Sequence, residues 1–208
     1  MLKVIEHPII KIKLTKMRDK ESSHSIFRTR LNEIASLMLY EILRDYKSKS
    51  KKVITPLNQE YNGFDYDKEI VFVPILRAGL GMVDGLLNLI REAKVGHIGL
   101  YRDEKTHKPH SYFYKMPEVA KDSYIFIIDP MLATGNSAVD AIKKIQKDGF
   151  NNISLVCLVG CNEGVQNVEK SFGKDFKIYL ASLDERLNDQ KYIEPGLGDA
   201  GDRIFGTK

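Results

Sequence analysis

The chain has 208 residues, of which 43% are hydrophobic and 29% carry a charged side chain. This composition is typical of a globular protein and excludes a disordered, collagen-like or disulfide-rich chain. The sum of 32 basic and 28 acidic residues gives a net charge of +4, too small to favour a dedicated nucleic-acid-binding protein but suited to phosphate-bearing small molecules. The length predicts a single domain, residues 1–208.

Cysteine usage and the N-terminus indicate a compartment. Cys157 and Cys161 have the spacing of neither a redox pair nor a zinc site, which favours a reducing environment. The first residues carry charges where a secretory signal needs an apolar run. The longest apolar run, residues 153–161, is far shorter than the roughly 20 residues that cross a bilayer. We therefore expect a cytoplasmic protein with no membrane partner.

The hydrophobic pattern predicts an N-terminal helical extension followed by alternating strands and helices. The N-terminal segment has no clear period, but from residue 25 to 46 apolar residues recur at steps of three and four, which predicts a helix. The lysine-rich residues 47–52 are interpreted as a solvated turn. The predicted strands are residues 70–75, 97–101, 124–128, 153–159 and 176–181, and the helices between and after them are residues 82–93, 137–147 and 164–172.

The predicted strands are continuously apolar rather than alternating, which is typical of a parallel sheet covered by helices on both faces. The fold class is therefore α/β. Because ligands of such sheets bind at the carboxyl ends of the strands, the residues that follow each apolar run are the candidate site residues.

Residues 129–137 form the strongest motif. They place Asp129 at the end of a buried strand, then a short loop with Thr134, Gly135 and Ser137, then a helix. The backbone N–H groups of such a loop and the positive end of the helix can hold a monophosphate. Asp129 can accept hydrogen bonds from a sugar diol. The alternative is that Ser137 caps the helix and Asp129 only forms a turn.

A second motif lies at the end of the strand at residues 70–75. Gly79, Gly81 and Gly85, with Asp103 about 20 residues later, are similar to a dinucleotide-binding fingerprint, so an NAD-dependent oxidoreductase is an alternative function. Arg77 argues against it, because that fingerprint does not need a guanidinium group at this position.

Two further segments carry glycines, aromatic residues or basic residues without helical period. Residues 102–116, called the hood here, are predicted to be either a mobile hairpin that closes over a site or an ordinary exposed hairpin. Within the hood, His107 and His110 are interpreted as solvated rather than metal-binding. In residues 192–208, four glycines allow close backbone approach to a flat ligand, and Ile193, Leu197, Ile204 and Phe205 favour burial.

These motifs together resemble those of type I phosphoribosyltransferases. Residues 129–137 are similar to the motif with which that family binds 5-phosphoribosyl 1-diphosphate (PRPP). Pro130 in place of the second acid, the Pro-Ile-Leu-Arg-Ala-Gly run at residues 74–79 and the C-terminal segment resemble uracil phosphoribosyltransferases in particular. Asn136 stands where that family has a second glycine. Since asparagine tolerates a positive φ, the turn is expected to survive the exchange.

The resemblance implies roles for individual residues. It implies catalytic roles for Arg77, Arg102, Asp129 and Asp199. It implies PRPP binding by Arg77, Arg102, Asp129, Pro130, Met131, Leu132, Ala133, Thr134, Gly135, Asn136, Ser137 and Asp199. It implies uracil binding by Ile193, Gly198, Asp199 and Ala200, with backbone groups of Ile193, Gly198 and Ala200 against the base and Asp199 also facing PRPP.

The implied reaction converts uracil and PRPP to UMP and pyrophosphate in pyrimidine salvage. Mg²⁺ is expected as a cofactor held mainly by PRPP, with no direct protein ligand. Family members are oligomeric, so a homodimer or higher homo-oligomer is expected, and GTP is a candidate effector. A nucleic-acid partner is not expected. A regulatory RNA-binding protein with the same fold, or an enzyme for another base, remains an alternative.

Overall fold

A computed structural model describes residues 1–102 and 109–207, and their strands form one large sheet and two small hairpin sheets. The strands of the large sheet are β1 (Leu2–Val4), β4 (Ile70–Leu76), β5 (Lys94–Val95), β6 (His97–Arg102), β7 (Pro109–Lys115), β8 (Tyr124–Leu132), β9 (Ile153–Cys161) and β10 (Lys177–Asp184). The small sheets pair β2 (Ser48–Ile54) with β3 (Glu60–Tyr66), and β11 (Arg186–Leu187) with β12 (Ile193–Glu194).

The large sheet is parallel except at one edge. Its strand order is β1-β10-β9-β8-β4-β6-β7, with β5 beside β4, and within the described part of this sheet only β6 and β7 pair in antiparallel fashion. The helices are α1 (Pro8–Arg18), α2 (His24–Ile42), α3 (Leu80–Leu89), α4 (Asn136–Lys147), α5 (Asn162–Phe172) and α6 (Ala200–Phe205). This architecture confirms the predicted α/β class with a parallel sheet flanked by helices.

The core consists of two clusters of buried side chains, one on each face of the sheet. Phe72 of β4 packs in the cluster that contains residues of α1, α2 and α3, whereas its neighbours Val71 and Val73 pack in the cluster that contains α4. Successive side chains of a strand point to opposite faces, so both faces of β4 need apolar residues. This two-sided burial is why the predicted strands show no alternation of polarity.

Strand β8 extends four residues beyond its predicted end and includes Pro130. The pairing of β8 with β4 ends at Ile128, and the register with β9 joins Asp129 to Cys157 and Met131 to Val159. A proline has no backbone N–H group, so it removes one hydrogen-bond donor from a strand. Because Pro130 lies beyond the last pair with β4, its missing N–H group removes no hydrogen bond from that side of the ladder.

Two predictions for the N-terminal third were wrong or incomplete. The lysine-rich residues 47–52 are solvated, but most of them belong to β2, whose lysines pair with acids of β3 rather than forming a turn. The N-terminal segment, which shows no clear period, contains the helix α1. Buried Ile10, Leu14 and Met17 form one face of it, and exposed Ile9 and Ile12 conceal that period in the sequence.

Candidate active site

A cavity of about 270 Å³ lies at the carboxyl edge of the sheet. Its lining comes from four separate segments of the chain. They are Ala78 after β4, Asp129, Met131 and Ala133 from β8 and its loop, Lys191, Tyr192 and Ile193 at the start of β12, and residues 198–201 at the start of α6. The structure therefore brings Asp129 together with Asp199 and with the predicted base-binding residues Ile193, Gly198 and Ala200.

Asp129 is the central titratable group of this cavity. Burial raises the pKa of its carboxyl group to about 7, although the Met131 backbone N–H group donates a hydrogen bond to its Oδ1 atom over 3.2 Å, which lowers the pKa. A carboxyl group with such a pKa is partly protonated at neutral pH. A bound group with positive charge or hydroxyl donors would favour its ionised form.

The loop after β8 ends in a left-handed residue that starts α4. Gly135 has φ = 78°, and a Cβ atom there would lie 2.7 Å from the carbonyl oxygen of Gly164. Both facts require glycine at this position. Asn136 is the first residue of α4 and does not adopt a positive φ, so the turn forms without the tolerance for that conformation that asparagine was expected to supply. The first-turn N–H groups of α4 are therefore presented beside the loop.

Residues of α5 and the end of β9 support the back of this loop. The Asn167 side-chain amide donates hydrogen bonds to the Thr134 carbonyl oxygen and to Oδ1 of Asn136, both over 2.8 Å. The Cys161 thiol donates to the carbonyl oxygen of Ala133 over 3.2 Å. Sequence reasoning missed Asn167, because one asparagine on a predicted helix carries no sign of which loop it faces.

Arg77 follows β4 at the same edge of the sheet. Its exposed guanidinium group lies 5.9 Å from the centroid of the Phe205 ring. Gly79 holds the Arg77 loop close to β8, since a Cβ atom at Gly79 would lie 2.5 Å from the carbonyl oxygen of Ile128. Arg77 is thus held next in sequence to Ala78 of the cavity wall, but it is not part of the cavity lining.

The glycines that resemble a dinucleotide fingerprint have a packing role instead. A Cβ atom at Gly85 would lie 2.1 Å from the carbonyl oxygen of Asn32, and one at Gly81 would lie 2.9 Å from side-chain carbons of Leu31 and Ile204. The Gly85 N–H group also donates to Oδ1 of Asn32 over 2.7 Å. These contacts let α3 pack closely against α2. Helix packing therefore accounts for the spacing of these glycines, and no dinucleotide-binding site is needed to explain it.

Of the four apolar residues of the C-terminal segment that favour burial, three are buried and one is not. Ile193, Leu197 and Ile204 are buried, but Phe205 is 39% exposed and lies beside Arg77. Asp199 lines the cavity and also caps α6, because its Oδ1 atom accepts a hydrogen bond of 2.9 Å from the Asp202 N–H group. One of its carboxylate oxygens therefore has a structural partner.

The backbone of Arg102 lies at the carboxyl end of β6, on the same edge of the sheet as Arg77. β6 pairs with β7 up to Arg102 and Pro109, with an irregularity between Gly99 and Leu100. The predicted PRPP contact of the Arg102 side chain lies outside the described residues, as do the candidate acid Asp103, His107 and the His110 side chain.

Within residues 1–102 and 109–207, no group of three or more His, Cys, Asp and Glu side chains is arranged to hold a metal ion. No helix in the same described ranges is both long and apolar enough to span a membrane.

Comparison with known proteins gives one consistent result. Residues 4–207 match the family model described as uracil phosphoribosyltransferase. Uracil phosphoribosyltransferases of Mycoplasmopsis agalactiae and Mycoplasmopsis pulmonis are 74% and 64% identical to this chain over 208 residues, with all of both proteins covered. The corresponding protein of Enterococcus faecalis is 51% identical, with 99% of this chain and 98% of that protein covered.

Solved structures agree on the fold. The AQ2163 protein of Aquifex aeolicus superimposes with a TM-score of 0.93 at 38% identity, over 100% of this chain and 99% of that chain. The adenine phosphoribosyltransferase of Trypanosoma brucei, solved with AMP, pyrophosphate and ribose-5-phosphate, gives a TM-score of 0.59 at 9% identity. That alignment covers 88% of this chain and 83% of the other, and it supports the fold alone.

Proposed function

The chain belongs to the uracil phosphoribosyltransferase family, and from that premise we propose that it converts uracil and PRPP to UMP and pyrophosphate. The observation that carries this proposal is the shared cavity, in which Asp129 of the predicted PRPP motif lies beside the C-terminal segment predicted to bind uracil. A ribose bound along β8 and a base bound along residues 193–200 would meet in this cavity, as transfer between them requires.

The 5′-phosphate of PRPP is assigned to the loop of residues 134–137. The left-handed turn at Gly135 leads directly into α4, so backbone N–H groups and the positive end of the helix face one position. The Thr134 and Ser137 hydroxyl groups add donors of the kind that phosphate oxygens accept. Binding here would fix the anomeric carbon relative to the base nitrogen that attacks it.

Asp129 is assigned to the ribose. Its ionised carboxylate would accept hydrogen bonds from the ribose hydroxyl groups and would stabilise positive charge that develops on the ring in an oxocarbenium-like transition state. Its pKa of about 7 means that the free protein loses this function as the pH falls below neutral. Hydroxyl donors of the bound ribose would lower that pKa again.

The departing diphosphate is assigned to Arg77 and Arg102. A guanidinium group can donate two parallel hydrogen bonds to phosphate oxygens and remains charged at every physiological pH. Arg77 follows β4 and Arg102 is the last residue of β6, and both strands end at the same edge of the sheet. The hood would exclude water, which otherwise competes with uracil for the ribose.

Uracil is assigned to backbone groups of Ile193, Gly198 and Ala200. All three residues line the cavity, and Gly198 has φ = 73°, a conformation that turns its peptide groups without a side chain in the way. Backbone donors and acceptors can recognise the edge of a small base, which explains why this segment is rich in glycine.

The donor set of the cavity fits a Mg²⁺ ion that is bound mainly by substrate. Asp129 and Asp199 are both carboxylates of the cavity lining, and oxygen ligands are those that Mg²⁺ prefers. Substrate oxygens would hold the ion, and these two carboxylates would lie near it without ligating it directly. When bound, the ion would neutralise charge on the diphosphate.

A transfer assay tests the proposal. The purified protein is incubated with PRPP, Mg²⁺ and one base at a time, namely uracil, cytosine, adenine, hypoxanthine or orotate, and nucleotides are separated by chromatography. We expect UMP from uracil alone. Product from another base would overturn the uracil assignment while leaving the PRPP site. Failure to bind PRPP in calorimetry would overturn the whole proposal, and a strongly salt-dependent RNA affinity would then favour the regulatory alternative.

Three further expectations stay predictions: a homodimer or higher oligomer, a response to GTP, and a cytoplasmic location. Light scattering of the purified protein measures the first. The transfer assay with and without GTP measures the second, and fractionation of cells measures the third.

A further inference from the structure

The base-binding segment is tied to the opposite end of the chain by a largely buried cluster of four residues, Arg18, Ser182, Asp184 and Gly196, which we call the clamp. Arg18 is the last residue of α1, and its two terminal nitrogens donate to the two carboxylate oxygens of Asp184 over 2.7 and 2.6 Å. The Ser182 hydroxyl donates to Oδ1 of Asp184 over 2.7 Å. This bidentate geometry fixes orientation as well as distance.

Both polar backbone atoms of Gly196 take part in the clamp. Its N–H group donates to Oδ2 of Asp184 over 2.9 Å, and its carbonyl oxygen accepts from Arg18 over 2.7 Å. Gly196 also makes a tight turn with φ = 59°, where a Cβ atom would lie 1.9 Å from the carbonyl oxygen of Ile193. The clamp therefore fixes the turn that joins Ile193 to Gly198.

The electrostatics make the clamp dependent on all its members. Asp184 is buried, and although burial raises the pKa of its carboxyl group, hydrogen bonds from Arg18 and Ser182 outweigh this and lower the pKa below its usual value. The carboxylate therefore stays charged. Removal of Arg18 would leave that charge buried without its partner, and the surrounding backbone would have to move to let water reach it.

The proposed PRPP site has its own, separate support. Its loop is held by the side chain of Asn167, which makes no described contact with the clamp, and by the thiol of Cys161, whose described link to Asp184 is the backbone pairing of β9 with β10 rather than a side-chain contact. A substitution in the clamp should therefore displace the proposed uracil site more than the proposed PRPP site. It should move the backbone atoms assigned to uracil and leave the phosphate loop in place.

From this geometry we propose that Arg18 and Asp184 are positioning residues for base binding, which set the affinity for uracil without contacting it. The inference rests on the proposed function, because it assigns a role to residues behind the uracil half of the same cavity. The specific consequence is that the KM for uracil depends on Arg18 of α1, which lies 178 residues from Gly196 in the sequence.

The first experiment compares Arg18→Met with a matched control, Arg30→Met. Arg30 has a similar side-chain exposure, 29% against 23%, and pairs with Glu33 of its own helix, so its loss tests the general cost of removing a half-buried arginine. We expect Arg18→Met to raise the KM for uracil at least tenfold, with the KM for PRPP within twofold and kcat at saturating uracil within threefold. Arg30→Met should change none of them by more than twofold.

Two milder variants keep the inference testable if Arg18→Met does not fold. Arg18→Lys keeps the charge but not the bidentate bond, and Ser182→Ala removes one hydroxyl from the clamp. Each should raise the KM for uracil by a smaller factor, about twofold to fivefold. A folded variant that leaves the KM for uracil unchanged, or raises the KM for both substrates equally, would overturn the inference.

A second measurement is independent of activity. Hydrogen exchange of the Gly196 amide should be at least tenfold faster in Arg18→Lys or Ser182→Ala than in wild type, and unchanged in Arg30→Met. Equal exchange rates would overturn the clamp as the anchor of this turn. If wild type forms no UMP, the proposed function fails, and a faster Gly196 exchange would still support the clamp as a positioning device for this segment.

Discussion

The two halves of the cavity are built by opposite means. The half proposed to bind PRPP, called the phosphate half, consists of Asp129, Met131 and Ala133 of the cavity wall and the loop of residues 134–137 that follows them. It lies within one strand, one loop and one helix, residues 124–147, and its turn is made by a left-handed glycine at position 135. The base half is assembled from residues 193–200 only after α1 and β10 hold that segment from behind. A local motif can be recognised from the sequence, whereas an assembled one becomes visible only in the structure.

Replacing Gly135 with alanine should damage the phosphate half most. The new Cβ atom would meet the Gly164 carbonyl oxygen and would also oppose φ = 78°, so the loop must change shape. We expect kcat/KM for PRPP to fall at least a hundredfold in steady-state assays. Gly173→Ala is the control, since Gly173, which follows α5, has φ = 88° and no atom within 4 Å of the position that a Cβ atom would take. It should cost about 1 kcal/mol of stability and leave activity unchanged.

The pH profile should separate the two halves. The pKa of Asp129 is about 7, so kcat/KM for PRPP should fall about thirtyfold between pH 8 and 5.5 as the carboxylate is protonated. The pKa of Asp184 is held low, so the clamp should not titrate in this range. A profile that stays flat down to pH 5.5 would contradict the assignment of Asp129 to the ribose.

The same shift predicts a pH-dependent stability in the absence of substrate. A carboxyl group with a raised folded-state pKa contributes stability below its unfolded pKa of 3.8 and loses it as the pH rises through about 7. Asp129→Asn should therefore unfold at a higher denaturant concentration than wild type at pH 8, and the difference should shrink toward pH 5. A constant difference between the two pH values would speak against burial of this carboxyl group.

Removal of the support behind the phosphate loop should have a moderate effect. Asn167→Asp keeps the shape of the side chain but places a carboxylate oxygen against the Thr134 carbonyl oxygen, where an N–H group now donates. We expect the KM for PRPP to rise about tenfold, with the KM for uracil within twofold. Ser171→Ala is the matched control on the same helix, because its hydroxyl donates only to the Asn167 carbonyl oxygen in the described contacts. A parallel rise in both KM values would indicate that the two halves are not independent.

The smallest effect is expected at Phe205. Its partly exposed ring lies beside Arg77, and a cation–π contact of this kind contributes about 0.5–1 kcal/mol at exposed sites. Phe205→Leu should raise the KM for PRPP about twofold to fivefold by loosening Arg77. An unchanged value in steady-state assays would show that the ring does not position this guanidinium group.

The contrast between the halves also explains what the sequence could predict. The buried strands and the helices α2, α4 and α5 follow from continuous or periodic apolar runs, and the phosphate motif is contiguous, so each is visible within about 20 residues. The roles of Arg18, Asp184 and Asn167 are not visible in the sequence. Each depends on a partner that is distant along the chain and is brought into contact only by the fold. The β2–β3 hairpin was missed for a different reason: its strand is rich in exposed lysine, which resembles a solvated turn.

The distance along the chain between the clamp residues has a consequence for synthesis. Arg18 and Arg28 leave the ribosome long before their acceptors, which are Asp184 and the carbonyl oxygens of Gly196 and Ile204. A nascent chain that ends after residue 183 holds the whole proposed phosphate motif but none of these acceptors, so it would carry most of the proposed PRPP contacts without the proposed base pocket. Residues 184–207 therefore complete the proposed site, and a chain that is terminated before them is excluded from the proposed transfer reaction.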